Sequence, residues 1–231
     1  MTYVLHYAPD NASLIIRLAL EHRGLPYRTQ LVDRAARAQE SAAYLTLNPN
    51  GLIPVLETPQ GPLFETGAIL LWLADTHGNL GPGPDDTDRG DFLKWLFYLS
   101  NTPHAMLRLL FYPQKYTTPD HADALRDGLT GQIARSFAIL DSIAANNPKW
   151  LGGTEASVLD FYLCALLRWC ALYPVEADRS WFTLRAYPAL EHICADVETL
   201  PCTAALQSAE GLGDTPFTAP RYPTPPEGSA T

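Results

Sequence analysis

The stretch NPNGLIPVLETPQGPLFETGAILLWLADTHG, Asn48 to Gly78, decides the fold. It begins with a turn signal, NPNG, because Gly and Asn tolerate positive φ and Pro presets φ. Apolar runs at 55–57 and 62–64 flank a second turn and predict a β-hairpin. Pro54 cannot donate to a sheet ladder, which places it at the start of a strand or in a special turn. Thr66 then predicts the N-cap of an amphipathic helix.

The order turn, X-Pro, hairpin, acid-hydroxyl pair and helix resembles the glutathione-binding half of the cytosolic glutathione transferases. The resemblance implies a cis bond between Ile53 and Pro54, with Ile53 offering its backbone N–H and C=O to the cysteinyl part of glutathione. It also implies that Glu65 and Thr66 hold the γ-glutamyl end. Many relatives carry Ser where this chain has Thr66, so the hydroxyl is kept. A hairpin and a capped helix also occur in many other α/β domains, and the rest of the chain decides between the two interpretations.

The residues before this stretch predict a βαβ unit followed by a further helix. The sequence indicates strands at Tyr3–Tyr7 and Tyr27–Val32, a helix at Ala12–Arg23 closed by Gly24, and a polar helix at Ala35–Leu47. Together with the hairpin and its helix, these elements predict an α/β thioredoxin-like domain.

Beyond the Gly- and Pro-rich linker, the pattern is helical throughout, which predicts an all-α second domain. Pro103 is expected to kink or break a helix predicted at Thr87–Phe111. Further helices are predicted at 121–146, 157–172, 186–199 and 202–209. The predicted organisation is a thioredoxin-like domain at 1–79, a linker at 80–88, a helical domain at 89–213, and a disordered Pro-rich tail at 214–231.

The second half extends the resemblance to about residue 213. Ser157 and Asp160 form a hydroxyl-x-x-acid capping pattern before an apolar run, as on the buried helix of the family's second domain. The segments Trp95–His104, Leu167–Trp169 and Leu200–Leu212 are most similar to the bacterial beta class.

Composition excludes several functions. The chain of 231 residues has a net charge of −9, which argues against non-specific binding to nucleic acid or to an anionic membrane. No apolar run approaches the ~18 residues of a membrane span, and the N-terminus lacks the pattern of a secretory signal. The four cysteines lack metal or redox spacing, so we expect a cytoplasmic protein without a metal site.

The first turn of the first helix is where the family activates the thiol of glutathione. Beta-class relatives typically have a cysteine at the position of Ala12, and its absence argues against a cysteine-based mechanism. Ser13 is the first choice as hydrogen-bond donor to the sulfur, with Asn11 and Tyr7 as the alternatives. Ser13 could instead cap the helix, and Tyr7 could be a core aromatic.

The resemblance assigns the remaining site residues. His104 matches a family histidine near the sulfur, and Asn101 belongs to the same cleft segment. Tyr112 and Trp169 are candidates for the pocket of a hydrophobic electrophile, although either could pack in the core. Leu52 stands where many relatives have a polar or basic side chain. Arg37 is the nearest basic substitute for a missing lysine of the family.

The implied function is a homodimeric glutathione transferase that attacks small electrophiles with the thiol of its co-substrate, glutathione. Two alternatives remain on the same fold. One is a glutathione-dependent peroxidase or reductase, and the other is a non-catalytic glutathione-binding protein.

Overall fold

The computed structural model describes residues 2–230, which form a sheet domain followed by a helical domain. The sheet contains β1 (Tyr3–Tyr7), β2 (Tyr27–Leu31), β3 (Val55–Thr58) and β4 (Gly61–Phe64). Its order is β2-β1-β3-β4, in which only β1 and β2 run parallel. The helices of this domain are α1 (Ser13–His22), α2 (Ala42–Leu45) and α3 (Thr66–His77). The mixed sheet, with α1 connecting the parallel strands β1 and β2, is the predicted thioredoxin-like arrangement.

The helical domain contains six helices within the described residues. They are α4 (Arg89–Leu99), α5 (Ala105–Phe111), α6 (Ala122–Ala144), α7 (Val158–Leu172), α8 (Pro188–Glu198) and α9 (Pro201–Glu210). All-α packing of this second half was predicted, and each helix lies within a few residues of its expected position.

Helix α1 joins the two domains. Residues 13–20 of this helix are all buried, and it packs against α3 of its own domain and against α7 and α9 of the other. Six of these eight residues are apolar, and the buried Arg17 is paired with Glu210 of α9, so the helix can be covered on all faces. The start of α1 is therefore fixed at the junction of the domains.

Pro103 does not interrupt the helical path between α4 and α5. Residues Ser100–His104 form one π-helical turn that contains the proline, and α5 continues from Ala105. A wider turn accommodates the missing N–H and the bulk of the ring. This turn places His104 at the boundary between the domains.

Helix α7 is buried almost throughout and begins with the predicted capping box. The Ser157 hydroxyl accepts from the N–H of Leu159, and Asp160 Oδ2 accepts from the N–H of Ser157 at 2.7 Å. Burial raises the pKa of Asp160 to about 6, against the lowering effect of these hydrogen bonds.

Two expectations are corrected. Residues 35–47 do not form the predicted long helix. They contain a short 3₁₀ turn at Ala38–Glu40 and the single helical turn α2. Arg37, in a left-handed conformation with φ 54°, precedes that 3₁₀ turn. The chain has few apolar side chains here, so little packing favours a continuous helix.

The tail predicted to be disordered is packed against both domains. Phe217 is 1% exposed, and its N–H donates to Glu198. Tyr222 donates to the C=O of Leu172 at 2.9 Å, and Thr224 donates to the C=O of Gly211 at 2.8 Å. Single aromatic side chains and backbone hydrogen bonds hold the tail in place. Because these contacts leave no periodic pattern in the sequence, the sequence did not predict them.

Within residues 2–230, no helix is both long enough and apolar enough to cross a membrane.

Candidate active site

Two adjoining cavities lie between the sheet domain and the helical domain. The smaller has a volume of about 260 Å³ and the larger about 550 Å³. Leu52, Ile53, His104 and Arg108 line both. A ligand in the smaller cavity can therefore present one end to a second molecule in the larger one.

The smaller cavity is built on the turn before β3. The peptide bond between Ile53 and Pro54 is cis, as predicted. The C=O of Leu52 accepts from Tyr44 Oη and from Asn48 Nδ2, each at 2.8 Å, so this turn is fixed from behind. Among the described residues, no hydrogen bond uses the N–H or C=O of Ile53. This free backbone edge can pair with an extended peptide-like ligand.

Glu65 and Thr66 line the same cavity at the start of α3. Thr66 is the first residue of the helix rather than its predicted N-cap, and the N-cap is Glu65. Glu65 is exposed and has φ 71°, a conformation that non-glycine residues rarely adopt and that is often found at functional sites. The helix N-terminus and the Thr66 hydroxyl suit a carboxylate, and the Glu65 carboxylate suits an ammonium.

His104 separates the two cavities. Its Nδ1 lies 2.7 Å from the hydroxyl of the fully buried Tyr162. Burial, with a smaller effect from the guanidinium of Arg108, lowers the pKa of His104 to about 4. The imidazole is therefore neutral at pH 7. It can form a hydrogen bond with a ligand but does not add a positive charge to the site.

The structure corrects the assignment of Ser13 as the donor to sulfur. Its side chain is fully buried, and its Oγ donates to the C=O of Ala8 at 3.1 Å. The same Oγ accepts from the N–H of Ala8 at 3.4 Å. Ser13 lines neither cavity, because this pair of bonds holds its hydroxyl against the end of β1.

Tyr7 is also directed away from the cavities. It is 2% exposed, and its hydroxyl donates to Glu227 of the tail at 2.5 Å. Burial, followed by that hydrogen bond, raises the pKa of Tyr7, so the phenol stays protonated. The interpretation of Tyr7 as a core aromatic fits the structure.

Asn11 does line the larger cavity, together with Ala12. Asn11 Oδ1 accepts from Arg34 Nη1 at 2.8 Å, and its Nδ2 donates to the C=O groups of Pro9 and Ala230. Of the three predicted donors, Asn11 alone is brought to the cavity, with a guanidinium directly beside it.

The first backbone N–H groups of α1 are also free. Leu14 and Ile15 donate to the C=O groups of Asn11 and Ala12, but within the described residues the N–H groups of Ala12 and Ser13 have no acceptor. Free N–H groups at a helix N-terminus stabilise an anion.

Tyr112 and Trp169 line the larger cavity as predicted, with Phe111 and Tyr173. Trp169 is 5% exposed, and its Nε1 donates to Asp10 at 3.0 Å, so it also belongs to the core. Trp169 thus lines the cavity and packs in the core at the same time, and its contact with an electrophile stays a prediction.

Two predicted residues lie outside both cavities. Arg37 points to solvent and forms an ion pair with Glu40, and Asn101 is exposed. Arg34 takes the place expected of Arg37, since it lines the larger cavity beside Asn11. Arg34 lies three residues closer to β2 than Arg37 does. The sequence alone could not distinguish the two arginines, because it predicted a helix over 35–47 that the structure lacks.

Sequence reasoning also missed three supports of the site. Tyr44 and Asn48 fix the turn before Ile53, and Arg108 lines both cavities. Arg108 lies one helical turn after His104, a spacing that places two residues on one helix face and that could have identified it. No group of side chains suited to a metal ion is present within residues 2–230.

Fold and site together define a thioredoxin-like protein with a helical second domain and a cleft for a peptide-like thiol. The family model for the glutathione S-transferase N-terminal domain matches residues 12–76. The chain is 31% identical to glutathione S-transferase GST-4.5 of Xanthomonas campestris pv. campestris, over 90% of this chain and 98% of that protein. The chain belongs to the glutathione transferase family.

Solved structures agree with this. A sphingomonad glutathione S-transferase in complex with glutathione is 31% identical, with a TM-score of 0.74 over 91% of this chain and all of that one. The bacterial beta class glutathione S-transferase of Sphingomonas chungbukensis is 28% identical, with a TM-score of 0.73 over 90% and 98% of the two chains. A beta-class enzyme is therefore among the structures that the chain resembles, and the match of Ala12 to the cysteine of that class stays a prediction.

Proposed function

We propose that this glutathione transferase binds glutathione along the smaller cavity and joins it, through its sulfur, to an electrophile in the larger one. One observation carries the proposal: the free backbone edge of Ile53 lies in the same cavity as Glu65 and Thr66. The Ile53 N–H and C=O pair with the cysteinyl residue of glutathione. The γ-glutamyl carboxylate binds at the N-terminus of α3 beside Thr66, and its ammonium meets Glu65.

This orientation directs the sulfur towards the start of α1. A free thiol has a pKa of about 8.5, and the thiolate is the nucleophile. The free N–H group of Ala12, the side chain of Asn11 and the guanidinium of Arg34 all favour the charged sulfur. Lowering the pKa to about 7 needs roughly 2 kcal/mol, which one or two charge-assisted hydrogen bonds and the helix field supply.

The transfer then follows by addition of sulfur and loss of a leaving group. The thiolate attacks the electrophilic carbon, a carbon–sulfur bond forms, and the leaving group departs with the bonding electron pair. The thiol proton has already been released to solvent. His104 stays neutral between the two substrates and can form a hydrogen bond with either.

Calorimetric titration with glutathione and a conjugation assay with a chloronitrobenzene test this function. Thr66→Ala should weaken glutathione binding about tenfold, the effect of losing one hydrogen bond to a charged group. The matched control is Thr130→Ala, an exposed threonine on α6 that should leave binding unchanged. Undetectable binding by the folded wild-type protein would overturn the proposal. Binding without any conjugation would favour the non-catalytic alternative, and peroxide reduction without conjugation would favour the peroxidase.

We further infer a cytoplasmic homodimer. The four cysteines are free and buried, which fits a reducing compartment. Phe97 on α4 is 54% exposed, unusually open for a phenylalanine, and it lies near the exposed Asn101. A dimer that covers this face should dissociate in Phe97→Glu, as measured by sedimentation at micromolar concentration, whereas Tyr222→Ser should leave the dimer intact.

A further inference from the structure

The larger cavity is basic, although the chain as a whole carries a net charge of −9. Four of its lining side chains are cationic: Arg34, Arg108, Lys115 and Arg126. An accumulation of positive charge in a cleft of an acidic protein attracts anions to that cleft. The positive charge of the larger cavity therefore indicates an anionic second substrate, which its aromatic lining residues alone do not indicate.

Carboxylates in the cavity do not cancel this charge. Asp10 and Glu176 are the acidic lining residues. Asp10 is already matched by the fully buried Arg168, with Nε–Oδ1 at 2.8 Å and Nη2–Oδ2 at 2.9 Å. It also accepts from Trp169 and Tyr173, so its two oxygens have no further need of a cation. Glu176 alone remains against four cations.

The cations themselves are mostly without acidic partners. Among residues 2–230, no carboxylate lies within 4 Å of a side-chain nitrogen of Arg34, Arg108 or Lys115. Arg34 donates to Tyr112 at 3.0 Å, Arg108 donates to Tyr116 at 2.6 Å, and Lys115 lies over the ring of Tyr112. Within residues 2–230, these neutral contacts orient the cations without compensating their charge.

Arg126 provides the most specific observation. One of its nitrogens bonds to the exposed Asp123 at 3.1 Å, but within the described chain its buried Nε has no hydrogen-bond partner. A buried donor without an acceptor is costly, and a ligand oxygen would remove that cost.

Glutathione does not account for all four cations. This step rests on the proposed function. With the γ-glutamyl end at Glu65 and Thr66, the thiolate and the glycine carboxylate are the two remaining charges. Arg34 beside Asn11 and Arg108 at both cavities are positioned for these. Lys115 and Arg126 line only the larger cavity, where the second substrate binds.

We propose that the preferred electrophile is an aromatic acid, with its ring against Phe111, Tyr112 and Trp169 and its anionic group at Lys115 and Arg126. This substrate differs from the small hydrophobic electrophile that the resemblance implies by carrying an anionic group. With para-chloro-meta-nitrobenzoate as substrate, the thiolate attacks the carbon that bears chlorine. The carbon–sulfur bond forms, the carbon–chlorine bond breaks, and chloride leaves with the electron pair while the carboxylate is unchanged.

Binding of two glutathione conjugates tests this independently of turnover. One is the conjugate of para-chloro-meta-nitrobenzoate, and the other is that of the uncharged para-chloro-meta-nitrobenzamide. Calorimetry should give about fivefold tighter binding of the carboxylate conjugate at low salt, the size expected for partly exposed charge pairs. The preference should decrease as salt is added. In Lys115→Gln or Arg126→Gln the ratio of the two affinities should fall about twofold, and in the double variant it should approach one.

Arg135→Gln is the matched control, because Arg135 is an exposed cation on the same helix as Arg126 but outside the cavity. It should retain the preference, and an equal loss in this control would assign the effect to overall charge and overturn the proposal. Equal binding of the two conjugates by the wild-type protein would overturn it as well, while leaving the glutathione site intact. Binding of neither conjugate by folded protein would overturn the glutathione site and this inference together. Two glutathione molecules per chain, with one lost in Arg126→Gln, would assign the cations to a second glutathione instead.

Discussion

Arg168, in the middle of α7, forms a bidentate ion pair with Asp10, in the turn before α1. Both side chains are completely inaccessible to solvent. Arg168 Nη1 also donates to the C=O of Pro216 at 2.9 Å, and the N–H of Asp10 donates to Glu210 of α9. The turn that precedes the thiol site is thus held by the helical domain and by the tail at the same point. The site depends on contacts between segments far apart in the sequence.

Asp10→Ala should destabilise the protein by about 3–5 kcal/mol, because it leaves the guanidinium of Arg168 buried and unpaired. Urea unfolding would measure this. Asp91→Ala is the control: Asp91 pairs with Lys94 and both side chains are 58% exposed, so its cost should stay below about 1 kcal/mol. Equal costs for the two variants would show that the buried pair does not hold the turn.

Asn11→Ala should raise the pKa of enzyme-bound glutathione, because it removes the group that holds Arg34 beside the start of α1. Ser13→Ala should leave that pKa unchanged and lower stability by about 1 kcal/mol, since its hydroxyl bonds only to Ala8. Thiolate absorbance titrations and urea unfolding of both variants separate the two effects. A shift in the titration with Ser13→Ala alone would return the role to Ser13.

His104 should titrate with a pKa of about 4 in the folded protein, against 6.5 as its ordinary value. Below pH 6.5 the unfolded chain then binds more protons than the folded one. The contribution of His104 to stability is therefore fully present above pH 6.5 and is lost as the pH falls towards 4. NMR titration of the imidazole measures the pKa directly, and His104→Gln should reduce the loss of stability over this range. A midpoint near 6.5 in wild-type protein would contradict the buried, neutral imidazole.

Deletion of residues 215–231 should destabilise the protein and weaken glutathione-dependent activity. It removes the buried Phe217, the Pro216 acceptor of Arg168 and the Glu227 acceptor of Tyr7. Phe217→Ala alone should cost about 3–5 kcal/mol in unfolding experiments. Tyr116→Ala, at a large aromatic that is 46% exposed, is the matched control for Phe217→Ala and should cost much less. A truncated protein as stable as the full chain would restore the original expectation of a disordered tail.

The elements of the sheet domain were predictable because their signals are local. β1 was predicted with its observed bounds, and the hairpin differs by one residue at each strand near the turn. Turn residues and alternating apolar side chains act within a few positions, so no knowledge of distant contacts was needed. The capping box at Ser157 and Asp160 was predictable for the same reason.

The details of the site were less predictable, because they depend on directions that packing sets. Ser13 and Asn11 are both polar residues beside the start of one helix. Ser13 nevertheless donates to the C=O of Ala8, whereas Asn11 lines the larger cavity. The exchange of Arg37 for Arg34 follows from the turn that replaces the predicted helix. The packed tail has no periodicity, and the acceptors it offers to Arg168 are backbone carbonyls that every residue possesses.

The most direct test of the central claim is a crystal structure of the complex with glutathione, in which the position of the sulfur is measured. The sulfur is expected to lie within hydrogen-bond distance of the N–H group of Ala12. The cysteinyl backbone should pair with Ile53, and the γ-glutamyl carboxylate should lie at Thr66. A sulfur remote from the start of α1, or glutathione bound outside the smaller cavity, would contradict it.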